Sequence, residues 1–314
     1  MTRPKLLLDC DPGHDDAIAM LCAARYGDLV GITTVSGNAP LDRTTTNALL
    51  VSQIAEIDVE VHSGSERPLM ADPVHAHHVH GPSGLDGPEL PPLQRAVASR
   101  DAVEFLLDRA ADDVWLVPTG PLTNIALALR RDPALLTRFA GITLMGGSVT
   151  GGNATPVAEF NIWADPEAAA EVFATGNPLT MIGLDLTHQV RMGHQEAVRL
   201  READTATARM VADILDFYAA STPGARAAGA AAMHDPCAVL QVTHPELFES
   251  IRLPVAVETR GRYTRGMTVV DSRVPRSSSD RADGPFNDQV QVARHAEAAR
   301  VIDLIIEAAV VPIP

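Results

Sequence analysis

Lysine is all but missing from this chain: Lys5 is the only one in 314 residues. Basic residues total 25 against 40 acidic ones, for a formal net charge of −15. So acidic a surface repels polyanions, which argues against nucleic-acid binding and against docking on an anionic membrane. Long hydrophobic runs are also missing. No stretch approaches 18 uncharged apolar residues, so no transmembrane helix is expected. Only three leucines precede Asp9, too few for a signal-peptide core. Cysteine is sparse: Cys10, Cys22 and Cys237 are odd in number and lack the close spacing of a metal site. They read as reduced, partly buried thiols of a cytoplasmic protein. Repeats, heptads and extended low-complexity tracts are absent too.

What the chain has instead is a dense acidic cluster at the end of an apolar run. Leu6-Leu7-Leu8 leads into Asp9, Asp11, Asp15 and Asp16, four aspartates within eight residues. Pro12-Gly13 marks a turn, and a helical pattern starts at once. Acids at a helix N-terminus gain roughly 0.3–1 kcal/mol from the dipole, which accounts for one or two of them but not four. Oxygen ligands packed this closely call for a hard cation such as Ca²⁺ or Mg²⁺. A solvated acidic turn is the plain alternative, and the apolar run before it argues against that.

The rest of the chain alternates strand and helix patterns. Strands are expected at Lys5–Asp11, Val30–Val35, Val59–His62, Val114–Val117, Ile142–Met145, Leu179–Asp185, Val255–Val257 and Met267–Val270. Helices are expected over about Asp15–Arg25, Asp42–Ala55, Asp101–Ala110, Pro166–Phe173, Gln195–Ala203, Thr207–Ala220 and Ala296–Ala308, with another through Arg130. This alternation predicts an α/β fold, a single domain over 1–314 with a mostly parallel sheet flanked by helices. Ligands of such sheets bind beyond the carboxyl ends of the strands, where Asp11 and Asn38 fall. Residues 64–95 break the pattern with Gly, Pro and a run of histidines, and about 72–90 reads as a mobile lid. Asp165-Pro166 and Asp235-Pro236 both look like helix N-caps followed by Pro. Arg273 to Asp283 reads as a solvated, loose segment. Gly146-Gly147-Ser148 is followed by no Gly-Lys-Ser/Thr, which excludes a P-loop.

Three distant stretches thus supply oxygen ligands: Asp11, Asp15 and Asp16; Thr119; and Asp235. Asn38, Asn153, Glu159 and Asn161 are suited to binding hydroxyls. Together they point to hydrolysis of a polyhydroxylated substrate on a cation.

In order along the chain come Asp9-x-Asp11-Pro-Gly-x-Asp15-Asp16-Ala, Val35-Ser-Gly-Asn38, Pro118-Thr-Gly-Pro-Leu-Thr-Asn124, Met145-Gly-Gly, Gly152-Asn153-Ala, Glu159-Phe-Asn161 and His234-Asp235-Pro236. From Lys5 to about Val270 this resembles the inosine–uridine-preferring nucleoside hydrolases, which cleave the N-glycosidic bond of ribonucleosides. The resemblance implies an open, Rossmann-like fold and a Ca²⁺ held by Asp11, Asp16, Asp235 and the backbone oxygen of Thr119. It implies Asp11 as general base toward water and inversion at the anomeric carbon. Asp15, Asn153, Glu159 and Asn161 would hold the ribose, with Asn38 and the Met145 region beside them. His234 is the candidate acid for the leaving base, titrating near the useful range, and His80 matches a histidine placed over the base. His234 stands where purine-preferring members carry Trp, which favours uridine, cytidine or inosine. Thr222 replaces a tyrosine of some members, while Tyr218 and Arg226 keep neighbouring roles. His14 reads as structural and Asp9 as a supporting group. The resemblance also implies a homo-oligomer, dimer or tetramer, with no nucleic-acid or membrane partner.

Two other readings compete. A haloacid-dehalogenase-like phosphohydrolase also binds metal through a strand-end Asp-x-Asp, but it needs a downstream lysine for phosphate, and here Pro12-Gly13 follows the second aspartate. A nucleoside-binding protein without catalysis would not require Asp11 beside a complete ligand set.

Overall fold

Leu6, Leu7 and Leu8 are fully buried because their strand lies in the middle of a sheet covered on both faces. Alternate side chains of a strand point to opposite faces: Leu6 and Leu8 enter one hydrophobic core and Leu7 enters the other. The computed structural model describes residues 3–273 and 286–313. Most of the Arg- and Ser-rich stretch expected to be loose, 274–283, lies outside them.

The strands are β1 (Lys5–Cys10), β2 (Asp28–Thr34), β3 (Val61–Ser63), β4 (Val114–Pro118), β5 (Gly141–Met145), β6 (Leu179–Ile182), β7 (Arg191–Gly193), β8 (Ala230–Ala232), β9 (Phe248–Val257), β10 (Thr268–Val270) and β11 (Asn287–Ala296). Nine of them form one sheet in the order β10-β9-β11-β6-β5-β4-β1-β2-β3. Pairing is parallel from β3 through to β11, and antiparallel only for β11 with β9 and β9 with β10. The mostly parallel α/β architecture is therefore as expected. From β1 the chain moves outward to β2 and β3, then returns to β4 on the other side. This reversal opens a crevice at the carboxyl ends of β1 and β4, the place where open α/β sheets bind ligands.

The helix His14–Tyr26 begins in that crevice. Residues 14–24 are buried on all sides, a placement open to it because five of them are alanines or a cysteine that let neighbours approach. It packs against the helices His234–Thr243 and Ala298–Val310. Cys10, Cys22 and Cys237 are free thiols and wholly buried, deeper than expected.

Several local readings change. The strand expected over Leu179–Asp185 stops at Ile182, and Leu184–Thr187 is a helical turn. A Cβ at Gly183 would sit 2.8 Å from the Gly147 carbonyl oxygen, so the chain turns there. Asp185 then binds the Val149 N–H and the Thr150 hydroxyl, each at 2.6 Å. Asp235 is not an N-cap: Met233 holds that place and Asp235 is inside the first turn. β11 escapes the sequence because register shifts between Asn287 and Val290, and again between Ala293 and His295, break its alternation. Among the described residues no helix is long and apolar enough to cross a membrane.

The segment between β3 and the helix Ala102–Arg109 holds only one short helix, His77–His80. It is nevertheless tied to the crevice. The Ala76 N–H donates to the Asn38 carbonyl at 3.0 Å, and Asn47 Nδ2 donates to the Ser83 carbonyl at 3.0 Å. Gly81 turns the chain after His80 with φ of 77°, a conformation that suits glycine.

Asp165 illustrates how loops are fixed. Fully buried, it caps its helix at the Ala168 N–H (3.1 Å) and accepts the Thr123 hydroxyl (2.7 Å) and the Leu69 N–H (2.9 Å). Asp165→Ala leaves these buried donors unpaired, so unfolding stability should fall by roughly 2–4 kcal/mol. Urea denaturation with an unchanged slope is the check, and a loss under ~0.5 kcal/mol would contradict the role.

Candidate active site

The acidic cluster forms where β1 ends and the next helix begins. Asp9 belongs to the framework: its Oδ1 accepts the Asn124 side-chain amide at 2.8 Å and the Thr33 hydroxyl, tying β1 to β2 and to the helix Thr123–Arg131. Burial pushes its carboxyl up to about 7. Asp11 Oδ2 accepts the Asn38 backbone N–H at 2.6 Å, whereas its Oδ1 is buried without a hydrogen-bond partner. Gly37 and Gly120 make this fit possible, since a Cβ at either would collide with the Asp11 carboxylate.

Asp16 is held on both oxygens. Oδ1 accepts from the Thr119 hydroxyl at 2.9 Å, and Oδ2 accepts from the Gly13 N–H at 3.0 Å and from Asn38 Nδ2 at 3.2 Å. The Gly13 contact also caps the helix. Asp15 and Asp235 join it: Asp15, Asp16 and Asp235 each bring a carboxylate oxygen within 4.8 Å of the others. The sequence reading sets Asp15 apart for the ribose. The geometry groups it with the ligands Asp16 and Asp235, and Asp11 lies beside them.

Burial raises the proton affinity of all these groups, and the charges of neighbouring carboxylates add to it at Asp11, Asp15 and Asp235. Asp11 is pushed well above the ordinary carboxylate range by burial and then by the charge of Asp16. Asp235 is pushed up by burial and then by Asp15, Asp16 and Asp11. Asp15 is raised by burial and Asp16, and Asp16 by burial against the donors that hold it. Among the described residues no Lys or Arg forms an ion pair with any of the four. A buried cluster of this charge needs a counter-ion, and an all-oxygen donor set with one unpartnered lone pair fits a hard divalent cation. Thr119 could contribute its carbonyl oxygen. That oxygen already accepts from Asn161 Nδ2 at 2.6 Å, which leaves its second lone pair.

Above the cluster is a cavity of about 330 Å³, within the range of small-molecule sites. Asp15, Asp235, Thr119 and Asn38 line its acidic side, and Asp11 and Asp16 lie fully buried beneath. Met145, Asn153, Glu159 and Asn161 line another part. Several of these are already engaged. Glu159 accepts the N–H groups of Gly147 (2.9 Å), Asn161 (2.9 Å) and Ile162 (3.1 Å), and so caps the helix Phe160–Ala164. Asn153 Oδ1 accepts the Phe160 N–H at 2.9 Å, and Asn161 Nδ2 also reaches the Met145 carbonyl at 3.2 Å. They are thereby oriented before any ligand arrives.

A histidine-rich wall completes the cavity. His80 is buried; its Nδ1 accepts the His14 backbone N–H at 3.2 Å, and its ring lies 5.5 Å from that of Tyr218. His14 Nε2 lies 2.7 Å from the Asp86 carbonyl, so this motif residue is packed against the 64–95 segment, in keeping with a structural role. His234 Nδ1 pairs with the Thr187 hydroxyl at 2.7 Å. The expected titration of His234 near neutrality does not hold. Burial, and after it the charges of His188 and Arg191, push it down to about 3. At neutral pH it is an uncharged imidazole that can donate a hydrogen bond.

Tyr218 and Thr222 line the cavity, but Arg226 is turned away and donates to the Ala220 carbonyl at 2.9 Å. Thr187, His188 and Arg191 were not singled out by the sequence. They lie just past β6 in a stretch that reads as a strand end, and only the turn at Gly183 carries them to the site. The density of polar groups from Asp185 to Arg191 was the available signal.

Curated relatives and solved structures match over almost the full chain. A pyrimidine-specific ribonucleoside hydrolase RihA of Shewanella woodyi is 44% identical over 279 residues, covering 86% of this chain and 89% of that protein. A pyrimidine-specific ribonucleoside hydrolase RihB of Escherichia coli is 42% identical over 276 residues, covering 86% and 88%. The structure of a purine-preferring ribonucleoside hydrolase from Gardnerella vaginalis superposes with a TM-score of 0.88 at 32% identity, covering 97% of this chain and 98% of that one. Residues 6–303 match the model of the inosine–uridine preferring nucleoside hydrolases, and the chain belongs to that family.

Proposed function

We propose that this protein hydrolyses the N-glycosidic bond of pyrimidine ribonucleosides, uridine and cytidine, with inosine a poorer substrate, and that it does so with a bound Ca²⁺. The observation that carries this reading is the set of four buried carboxylates, with no Lys or Arg paired to them among the described residues, next to a nucleoside-sized cavity walled by histidines. The pyrimidine specificity printed for the relatives at 42–44% identity supports the choice of base.

Asp11, Asp16, Asp235 and the Thr119 carbonyl would hold the cation, with Asp15 adjoining. When bound, it would offset their mutual repulsion and supply Lewis acidity. The remaining work belongs to the chain. The unpartnered Oδ1 of Asp11 is free to accept a proton from the attacking water, and burial makes that carboxylate a stronger base. Asp15, Asn153, Glu159 and Asn161 orient the ribose hydroxyls. As the bond to the base breaks, positive charge develops on the sugar, and the neighbouring carboxylates favour it. Neutral His234, its ring fixed by Thr187, donates toward the departing base, and His80 adjoins it. The segment 72–90 acts as the lid that brings His80 into place. Homo-oligomeric assembly and a cytoplasmic setting are part of the same reading.

Purified protein with Ca²⁺ should release uracil and ribose from uridine, and chelation should abolish turnover. No base release from uridine, cytidine or inosine at micromolar enzyme would defeat the proposal. Adding Ca²⁺ to chelator-treated protein should raise the melting temperature by mass action, and Asp235→Asn should remove most of that rise. Asp11→Asn should lower kcat by at least ~10²-fold, as removal of a general base does. Near-normal turnover in that variant would rule Asp11 out.

A further inference from the structure

Arg191 stands on β7, paired with Ala232, two positions before His234. Its Nε donates to the His188 carbonyl at 3.1 Å, within its own turn. Its terminal nitrogens have no protein partner among the described residues. Among the described side chains lining the cavity it is the one Lys or Arg. Several arginines elsewhere are neutralised by acids, among them Arg130 with Glu171, Arg201 with Asp213 and Asp216, and Arg265 with Glu167, whereas Arg191 faces the cavity without one. A half-buried guanidinium with spare donors on a cavity wall is suited to planar oxygen acceptors. Arg191 and His234 line the same cavity.

We propose that Arg191 is the counter-charge for the departing base and makes the site prefer a dioxo-pyrimidine to a 4-amino one. The inference rests on the hydrolase reading above. The electron pair of the C1′–N1 bond leaves with the base and spreads onto its ring oxygens. The oxygen of water bonds to C1′, and the proton that this water gives up ends on the released base. His234, its ring held by the Thr187 hydroxyl at 2.7 Å, offers a hydrogen bond. The guanidinium brings a full positive charge that persists at any working pH. Uracil offers two carbonyl oxygens to receive the charge; cytosine replaces one with an amino group, which a guanidinium cannot bond.

The test is steady-state kinetics of Arg191→Gln, Arg191→Lys and Arg191→Ala on uridine, cytidine and 4-nitrophenyl β-D-ribofuranoside, whose leaving phenolate is stable unaided. For Arg191→Gln, kcat on uridine should fall about 10²-fold, on the scale of other transition-state charge contacts. Its KM should change little, cytidine should lose less, and the nitrophenyl riboside should lose under ~10-fold. Arg191→Lys should retain part of the uridine rate, and guanidinium ion should restore turnover to Arg191→Ala. An equal loss on all three substrates, a change confined to KM, or no rescue by guanidinium would overturn the assignment. If wild-type protein hydrolyses none of the nucleosides, the hydrolase reading itself fails. If it hydrolyses uridine and Arg191→Gln does so equally well, only the role of Arg191 fails.

Discussion

Repulsion among buried carboxylates is the constraint on which this structure turns. Asp11, Asp15, Asp16 and Asp235 are drawn together with no Lys or Arg paired to them among the described residues, and burial makes each harder to ionise than an exposed acid. A fold retains such an arrangement only when the surrounding chain over-determines it. Here the surroundings are backbone amides, two close-lying glycines and the start of a helix that is buried on every side. The core on both faces of β1 holds the strand whose end carries the charge.

Stability and function therefore compete at one place. The donors from Gly13, Asn38 and Thr119 ease the burial of Asp16 and Asp11 only in part, and Asp11 Oδ1 receives none. An unsatisfied buried oxygen costs stability, and Asp9 of the framework carries one too, at Oδ2. That of Asp11 lies among the carboxylates of Asp15 and Asp16, beneath the cavity. Among the described lining residues Arg191 is the one Lys or Arg, so polarity is divided within a space of about 330 Å³.

Much of this was legible in the sequence. The Leu6–Leu8 run, the Pro12-Gly13 turn and the alternating patterns give the parallel sheet, and the resemblance named the cavity residues from Asn38 to Asp235. What stayed hidden depended on contacts between distant segments. β11 is obscured by two register shifts, and β9, expected only over Val255–Val257, has its first part obscured by exposed residues such as Ile251. Arg191 and Thr187 escaped because a single close approach, Gly183 against Gly147, converts an apparent strand end into a helical turn. The neutral state of His234 also lay beyond the sequence, because burial and the charges of His188 and Arg191 set it.

Asn38 has a consequence that reaches past its place in the cavity. Its backbone N–H and side-chain amide grip Asp11 and Asp16, while its carbonyl holds the Ala76 N–H at the root of the segment carrying His80. One residue thus joins the charged floor to the overhanging loop. Thermodynamic linkage makes such a joint reciprocal: whatever firms the hold on the carboxylates also favours the seated loop, and seating the loop firms that hold in return.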